Sequence, residues 1–570
     1  MKSLFGRIRQ AVAQAIYSFS ITSKVIFTIF ICVCLASGLY MLNSWNQRFL
    51  IEVPKRSDSI SIGIIGTPRV INPVLAETES SKNLVALVFS GLLKKDTLGN
   101  IVPDLAESYT RSENNKSITF KLRNNIFFHD NTPITTTDIA FTISKIQDPT
   151  TKSPYRAYWE NIRITTQSET EITFTSDKVF SSNLKEMTIG VLPAHIWKTI
   201  PHDQFGTSEY NTEPIGSGPY YIDSVTRGRG GLASGYVLKA FNKYYPRKAY
   251  IKTIDVNIFQ NETEAIRSLR SGMIEELGAL PPSITPELIY EGKELRSSSL
   301  PRVFALFFNQ NQNTILKDSA VRNALNISAP RQEIVAQIFH GYATPLFSPL
   351  PPFMYEVNPS VLASSSIETA EKILDKAGWI RGEDGLRSKK GTGEPVRLAL
   401  SIATSDVPDL KNTAEILKET WKKIGVDVTV DIYESSDLNQ NVIRERKYDS
   451  LLFGQVIPQG SDLYAFWHSS QRKDPGLNVA IYTNPQVDKL LESMRVSTST
   501  DLSHLYKPFQ VEFDKDIPAV FLYSPLYIEA VPNGIKGYST TTLLDPSERF
   551  LNSSEWYVRT EKIWPIFKNF

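Results

Sequence analysis

Six histidines, at 129, 195, 202, 340, 468 and 504, are the residues of this 570-residue chain best suited to acid–base or metal chemistry. Their spacing supports neither. No two stand four apart, as two ligands on one helix face would, and none is flanked by further ligand types. His129 beside Asp130 is the best candidate, yet its place between a strand pattern and a helix pattern reads as a surface turn. There is no G-x-S-x-G elbow and no G-x-x-x-x-G-K-[ST] loop, so neither a serine hydrolase nor a nucleotidase is supported. The glycines at 228, 230 and 231 read as a flexible loop, not a phosphate cradle. The chain has 60 Asp and Glu residues, so a glycosidase pair is not excluded by number, but no two carboxylates stand out in such a setting. These residues give no ground to expect an enzyme or a cofactor.

Both cysteines, Cys32 and Cys34, fall inside one apolar run, so the rest of the chain has no disulfide and no cysteine-based metal site. That run, Val25 to Leu42, holds 18 residues without a charge. As a helix at ~1.5 Å per residue it reaches ~27 Å, about one hydrocarbon core. Lys2, Arg7, Arg9, Lys24 and Arg48 give residues 1–50 a charge of +5 with no acid, which leaves −3 of the total of +2 for the remainder. The positive-inside rule then puts residues 1–24 in the cytoplasm and the main body outside. A retained single-pass anchor in the cell membrane is expected, because the apolar run continues past Ala36-Ser37-Gly38; a cleaved signal peptide is the rival. The near-neutral body has no basic field for nucleic acid.

The elements that would position a site follow from periodicity. Residues 43–54 read as a polar tether, Ser59 to Ile65 as a strand, Arg69 to Thr78 as a loop and Asn83 to Leu93 as a helix. Ile118, Phe120 and Leu122 alternate as a strand, followed by a turn in which Asn131 takes positive φ, then a helix capped by Thr136 or Thr137. Leu410, Ala414, Leu417, Trp421 and Ile424 lie on one helix face, closed by Gly425 before the alternating strand Val426, Val428, Val430 and Ile432. A second helix runs from Ala370 to Gly378. Helices alternating with strands predict an α/β fold of open sheets covered by helices.

Four segments stand in a telling order: PIGSGPY at 214–220, AVRNALNISAPRQEIV at 320–335, AEKILDKAGW at 370–379 and NVAIYTNPQVDKLL at 478–491. From about residue 61 to 531 the chain resembles the extracytoplasmic solute-binding proteins of peptide and nickel ABC importers, the oligopeptide- and dipeptide-binding family 5. The resemblance implies a periplasmic-binding-protein-like, two-lobed α/β fold with an extra inserted subdomain, here preceded by one transmembrane helix at 25–42. It maps one lobe to 55–92, 212–300 and 525–570, the inserted subdomain to 93–211 and the other lobe to 301–524. The lobe crossings fall at Val303–Asn309 and Pro518–Val531.

On the same resemblance, a peptide or similar solute lies between the lobes, and Arg69, Asn72, Trp159, Asn309, Gln455, Asp462 and Trp467 are the residues expected to hold it. The protein would act as a monomer that serves an ABC permease and its ATPase. A nickel chelate, haem or an oligosaccharide are alternative ligands on the same fold, and a membrane-anchored hydrolase of surface polymers is the alternative from another class. The sequence departs from the family in one place. Peptide binders pair the α-amine with an Asp after the YD strand, whereas YDSLLFG (448–454) leads to Ile457 and Pro458, and Asp462 matches a later helix cap. Recognition of a free N-terminus is therefore not expected.

Overall fold

The computed structural model describes residues 18, 20–96, 99–180, 184–228, 230–245, 247–351, 366–391, 393–457, 463–496, 503–538 and 542–567. The chain forms two units, a small one of Met1–Arg56 with Tyr557–Phe570 and a large one of Ser57–Trp556.

In the small unit, Ser20 opens helix α1 (Ile21–Phe49), its hydroxyl accepting from the Ser23 N–H at 3.2 Å. Residues 21–46 are long and apolar enough to cross a membrane, and their large side chains are exposed. The polar tether expected at 43–54 is not a coil. Residues 43–49 contain no Gly or Pro and continue α1, and strand β1 (Ile51–Lys55) follows. Strand β1 pairs antiparallel with the C-terminal strand Arg559–Ile563, in register from Ile51 opposite Ile563 to Lys55 opposite Arg559. The basic residues Lys2, Arg7 and Arg9 lie outside the described residues.

The large unit is a mixed α/β structure built on one long sheet. Strand β2 (Ser57–Ile65) buries Ile60, Ile62 and Ile64 on one face, as its alternation predicts. Helix α2 (Glu79–Val88) begins four residues earlier than expected, where the Thr78 hydroxyl accepts from the Ser81 N–H, and stops where Phe89 turns extended. A separate four-stranded sheet of β3 (Ala106–Arg111), β4 (Ser117–Leu122), β5 (Ile162–Thr166) and β6 (Glu171–Ser176), in the order β3-β4-β6-β5, carries helix α3 (Thr136–Gln147). Thr135, not Thr136 or Thr137, caps α3, in a capping box with Asp138. Asn131 has φ 71°, as the turn requires.

The long sheet then gains β7 (Tyr220–Arg227), β8 (Ala233–Ala240), β9 (Ile251–Phe259) and the two-residue β10 (Glu276–Leu277). The glycines at 228, 230 and 231 make the β7–β8 hairpin turn, in which the Gly228 N–H donates to Leu232 O. The chain continues through β11 (Glu294–Ser299) and β12 (Arg302–Phe308), then β13 (Ala399–Ser405), helix α4 (Pro408–Lys423), β14 (Asp427–Tyr433), β15 (Ser450–Val456) and helix α5 (Tyr464–Trp467). The last long strand, β16 (Ala519–Val531), sits centrally, and the strand order is β14-β13-β15-β12-β16-β10-β2-β9-β8-β7.

All five residues predicted for one face of α4 are buried, and Gly425 ends the helix at φ 84°. With residues 319–339 and 367–376 they cover one face of the sheet, in a core with Leu306, Phe308, Ile402 and Leu452. Val303, Ala305, Phe307 and Leu451 point to the other face, into a core with Trp467, Leu491 and Phe513. Helices on both faces of the strands explain why VFALFF (303–308) is apolar without interruption.

Strand β16 pairs along its C-terminal part with β11 (Ser299 opposite Leu526) and along its N-terminal part with β12 (Phe304 opposite Tyr523). Two antiparallel strands therefore run side by side from one part of the sheet to the other. The chain passes from one part to the other at Leu300-Pro301 and at Ser524-Pro525, where the Ser524 hydroxyl donates to Leu300 O. The first passage thus lies ahead of the expected run 303–309, which belongs wholly to the second part.

The PIGSGPY segment returns the chain from the four-stranded sheet to β7. Ser217 N–H and Gly218 N–H both donate to Val88 O, at 3.0 and 2.7 Å, and Ser90 N–H donates to Ser217 Oγ. A Cβ on Gly216 would lie 2.1 Å from Val88 O, so only glycine fits this approach. His129 stands half-buried in the expected turn between β4 and α3. Its Nδ1 accepts from the Gly216 N–H at 3.2 Å and its Nε2 donates to Gly218 O at 3.1 Å, which requires the neutral Nε2–H tautomer. Burial pushes its pKa down to about 4.

A second buried group closes the first part of the sheet. Arg549 donates from Nε to Glu276 at 3.1 Å and from Nη1 to Asn83 Oδ1 at 3.1 Å and Pro546 O at 2.9 Å. Glu529 lies 3.9 Å from Nε and accepts from the Tyr538 hydroxyl at 2.5 Å. Both glutamates are fully buried, and one oxygen of each has no hydrogen-bond partner among the described residues. Burial raises both carboxyls, Glu529 to about 7, against the pull of the guanidinium.

Two outcomes are expected. A His whose folded pKa lies below its ordinary ~6.5 binds fewer protons folded than unfolded, so stability falls as pH drops through that window. Urea titrations of wild type should lose up to ~3 kcal/mol from this site between pH 6.5 and 4, and His129→Gln should remove that part of the slope; an unchanged slope overturns the assignment. Arg549→Met should cost ~3–5 kcal/mol at pH 7.5 by stranding two carboxylates. A carboxyl raised in the folded state favours folding at low pH and less as pH rises, so the deficit should shrink by pH 5. An equal deficit at both pH values would show that charge is not its origin.

Candidate functional site

Strand direction locates the site. In the first part of the sheet, β2 runs parallel to β9 and β10, and β10 lies antiparallel to β16 with Leu277 opposite Ala530. Leu280 N–H then donates to Ile528 O, so β10, and with it β2 and β9, point their carboxyl ends towards Ser524-Pro525. In the second part, β13 runs parallel to β14 and β15. The end of β15 pairs with the start of β12, Val456 opposite Arg302 and Gln455 opposite Val303, so these carboxyl ends point to the same passage. Open parallel sheets bind ligands outside the carboxyl ends of their strands, where the next helices leave unpaired backbone groups. Here two such edges face one another across Leu300-Pro301 and Ser524-Pro525.

The first edge is built by the residues after β2 and β9. Arg69 is exposed there, and Gln260 donates from Nε2 to Thr67 Oγ1 at 3.1 Å. The second edge holds Asp406, Val407, Tyr433, Gln455 and Val456, with Val407 and Val456 exposed. Asp406 N–H donates to Tyr433 O, which ties the ends of β13 and β14 together. Asp409, in the first turn of α4, has its pKa raised by burial. Two short polar edges with apolar patches, one exposed cation and two acids suit an uncommitted polar ligand of extended shape.

Of the seven expected ligand residues, Arg69 and Gln455 come to these edges. Gln455 is buried, and its Nε2 donates to Leu477 O at 3.2 Å while its Oε1 has no partner among the described residues. Trp467 is core: its ring packs against Phe307, Phe513 and Phe521, although its Nε1 has no partner among the described residues. Asn72 is buried beyond the first edge, donating to Asn211 Oδ1 and accepting from the Val74 N–H. Trp159 is buried in the four-stranded sheet against Phe174. Asn309 follows β12 at the end away from the passage, where it caps a turn by accepting from Asn311 and Gln312 N–H and donating to Arg446 O. These three are corrected to structural roles.

Asp462 and Pro458 lie outside the described residues. Ile457 is fully buried, and its N–H donates to Pro301 O at 2.7 Å. Thr67, Gln260, Tyr433 and Val456 were missed by residue type. Their signal is positional, since each stands at or just beyond the end of a strand that the structure pairs in parallel.

The NVAIYTNP segment backs the second edge. Asn478 donates to His468 O and Tyr482 O and accepts from the Tyr482 N–H, and the Tyr448 hydroxyl donates to Val479 O. A cavity of about 820 Å³ lies elsewhere, between residues 485–496 and 503–516, lined by Lys489, Leu490, His504, Lys507 and Val511 among others.

Comparison with known proteins agrees with the mixed α/β fold. The middle-region model of the bacterial extracellular solute-binding proteins, family 5, matches residues 100–475. The oligopeptide-binding protein AppA of Bacillus subtilis is 26% identical over 549 residues, covering 94% of this chain and 97% of its own. The crystal structure of NikZ from Campylobacter jejuni in complex with Ni(L-His) is similar at 25% identity and a TM-score of 0.64, with 89% of this chain and all of that chain covered. The structure of Bacillus subtilis AppA in complex with a nonapeptide shares the fold, with a TM-score of 0.62 at 23% identity, over 89% of this chain and all of that one.

Proposed function

Because this chain belongs to the bacterial extracellular solute-binding proteins of family 5, we propose that it is a membrane-anchored receptor that captures a peptide between two closing lobes. It hands the peptide to an ABC permease and its ATPase. The observation that carries this reading is the convergence of two sets of parallel-strand carboxyl ends on one passage, spanned by only two strands. The lobes divide at Leu300-Pro301 and Ser524-Pro525, with residues 93–211 inserted in the first. Two spanning strands form a hinge about which such lobes close. Backbone groups at strand ends bind a peptide main chain without reading its sequence. Helix α1 holds the receptor, as a monomer, on the outer face of the cell membrane.

A peptide is preferred to a nickel chelate because four of the six histidines are already engaged. His129 is held by Gly216 and Gly218, His195 by Asp130 at 2.7 Å, His202 by Asp148 at 2.5 Å and His468 by Ser470 at 2.8 Å. Among the described residues no three His, Cys, Asp or Glu side chains group as a metal site.

Native mass spectrometry of the detergent-purified full chain should show a ladder of bound peptides. A sugar or a metal chelate in its place overturns the peptide reading. Ile457 is a buried alkyl group and cannot pair with an ammonium ion, and an unpaired buried charge costs several kcal/mol. Calorimetric titration with matched free and N-acetylated peptides should therefore show affinities within ~10-fold of each other, since no buried ion pair is gained. A ~100-fold preference for the free amine, about 2.7 kcal/mol, would refute this account.

A further inference from the structure

The small unit carries an exposed apolar group that the anchoring helix alone does not explain. At ~1.5 Å per residue, the 29 residues of α1 span ~43 Å, about the thickness of a bilayer including its headgroups. Its last two turns, with Trp45 and Phe49, therefore fall at the far headgroup level when residues 25–42 fill the hydrocarbon core. Trp45 is 66% exposed and Phe49 53%. Strand β1 then leads away from the end of α1. Because the C-terminal strand is antiparallel to it, with Ile563 opposite Ile51, the chain returns to the end of α1 as it leaves that strand. Trp564 stacks on Phe49, ring centres 6.1 Å apart and planes within 4°. Trp45 meets the edge of the same Phe49 ring at 6.4 Å. Trp564 remains 43% exposed and Ile566 71%.

These observations place three aromatic rings and an isoleucine in one exposed patch, on two distant parts of the sequence, at one end of a membrane-spanning helix. We propose that this patch is a lipid-binding collar: Trp45, Phe49, Trp564 and Ile566 insert together at the outer headgroup–acyl boundary, so that the C-terminus is a second membrane contact. The proposal rests on the anchored reading of α1. The occupant is phospholipid because the patch is continuous with the apolar surface of α1, which lipid already covers. Tryptophan suits this depth, with an apolar ring body and one N–H for the headgroup region. The collar also restricts the helix end, since β1 and the C-terminal strand clamp the tail beside it.

The test uses the full chain with Cys32→Ser and Cys34→Ser, reconstituted in phosphatidylcholine–phosphatidylglycerol vesicles. Single nitroxide labels go to Ile566→Cys and, in a second variant that spares Ile566, Trp564→Cys. Leu35→Cys reports the middle of α1 and Lys116→Cys the aqueous surface. Collision rates with oxygen, which concentrates in bilayers, are compared with those for a water-soluble nickel chelate. The label at 566 should show an oxygen-to-nickel ratio at least ~3-fold above that at 116, as an interfacial position requires, and the label at 564 should agree. If 566 and 564 match 116 while 35 stays lipid-like, the collar is refuted and the anchor stands. If 35 itself matches 116, the anchored reading fails and takes the collar with it. Shielding of 566 from both reagents would mean protein contact and overturn the lipid assignment.

Discussion

One strand holds the large unit together. β16 pairs with β12 through Ala519–Tyr523, with residues 343–345 around Ser524 and with β10 and β11 through Leu526–Val531. Thirteen residues thus belong to both parts of the sheet. A strand with both backbone edges paired has no freedom to shift register, because a slip of one residue would turn its buried face outward. Along its β12–β11 edge the partner changes at Ser524 and Pro525, and the partner strand itself changes at Leu300 and Pro301. Pro301 and Pro525 each lack an N–H and so relax the ladder where a hinge would need it relaxed. Residues 343–345 pair with Tyr523–Pro525 and so back this stretch of β16 on its other edge.

The same strand links the sheet to its least comfortable group. Glu529 stands near the end of β16 and shares Arg549 with Glu276 of β10. Two carboxyls around one guanidinium in a dry interior give no obvious gain over apolar packing. They do specify partners: only this register of β10 and β16 brings both acids to Arg549, and Asn83 Oδ1 of α2 adds a further acceptor. The polar cluster therefore selects one arrangement of α2, β10, β16 and residues 546–550 rather than adding much stability. The Gly216–His129 contacts do similar work for the return from the four-stranded sheet.

Much of the local structure was legible. The 3.6-residue pattern at 410–424 gave α4 with its stop at Gly425, and the alternation at 59–65 gave most of β2, because each depends on a face the segment buries by itself. Boundaries set by competing caps were less legible. Thr78, Thr135, Thr136 and Thr137 are all good N-cap residues, and only the position of Asp138 against the Thr135 N–H decides between the last three. The tether at 43–54 failed for a tertiary reason. Its second half becomes a strand only through a partner some 500 residues later in the chain, which no local pattern reveals.

The site was half legible for a related reason. Residue type pointed to Trp159, Asn72 and Asn309, whose chemistry is equally suited to core packing and turn capping, and there the structure uses them. What distinguishes Gln455 from Asn309 is strand polarity. Both stand at strand ends, but β15 runs towards the passage and β12 runs away from it, so the amide at the end of one lies at the passage and the amide at the end of the other caps a turn. The orphaned Oε1 of Gln455 has the same origin. A buried acceptor without a donor costs ~1–3 kcal/mol, a cost that persists more readily where a bound molecule or water can supply the missing hydrogen. Strand direction, not residue identity, thus separates these two amides.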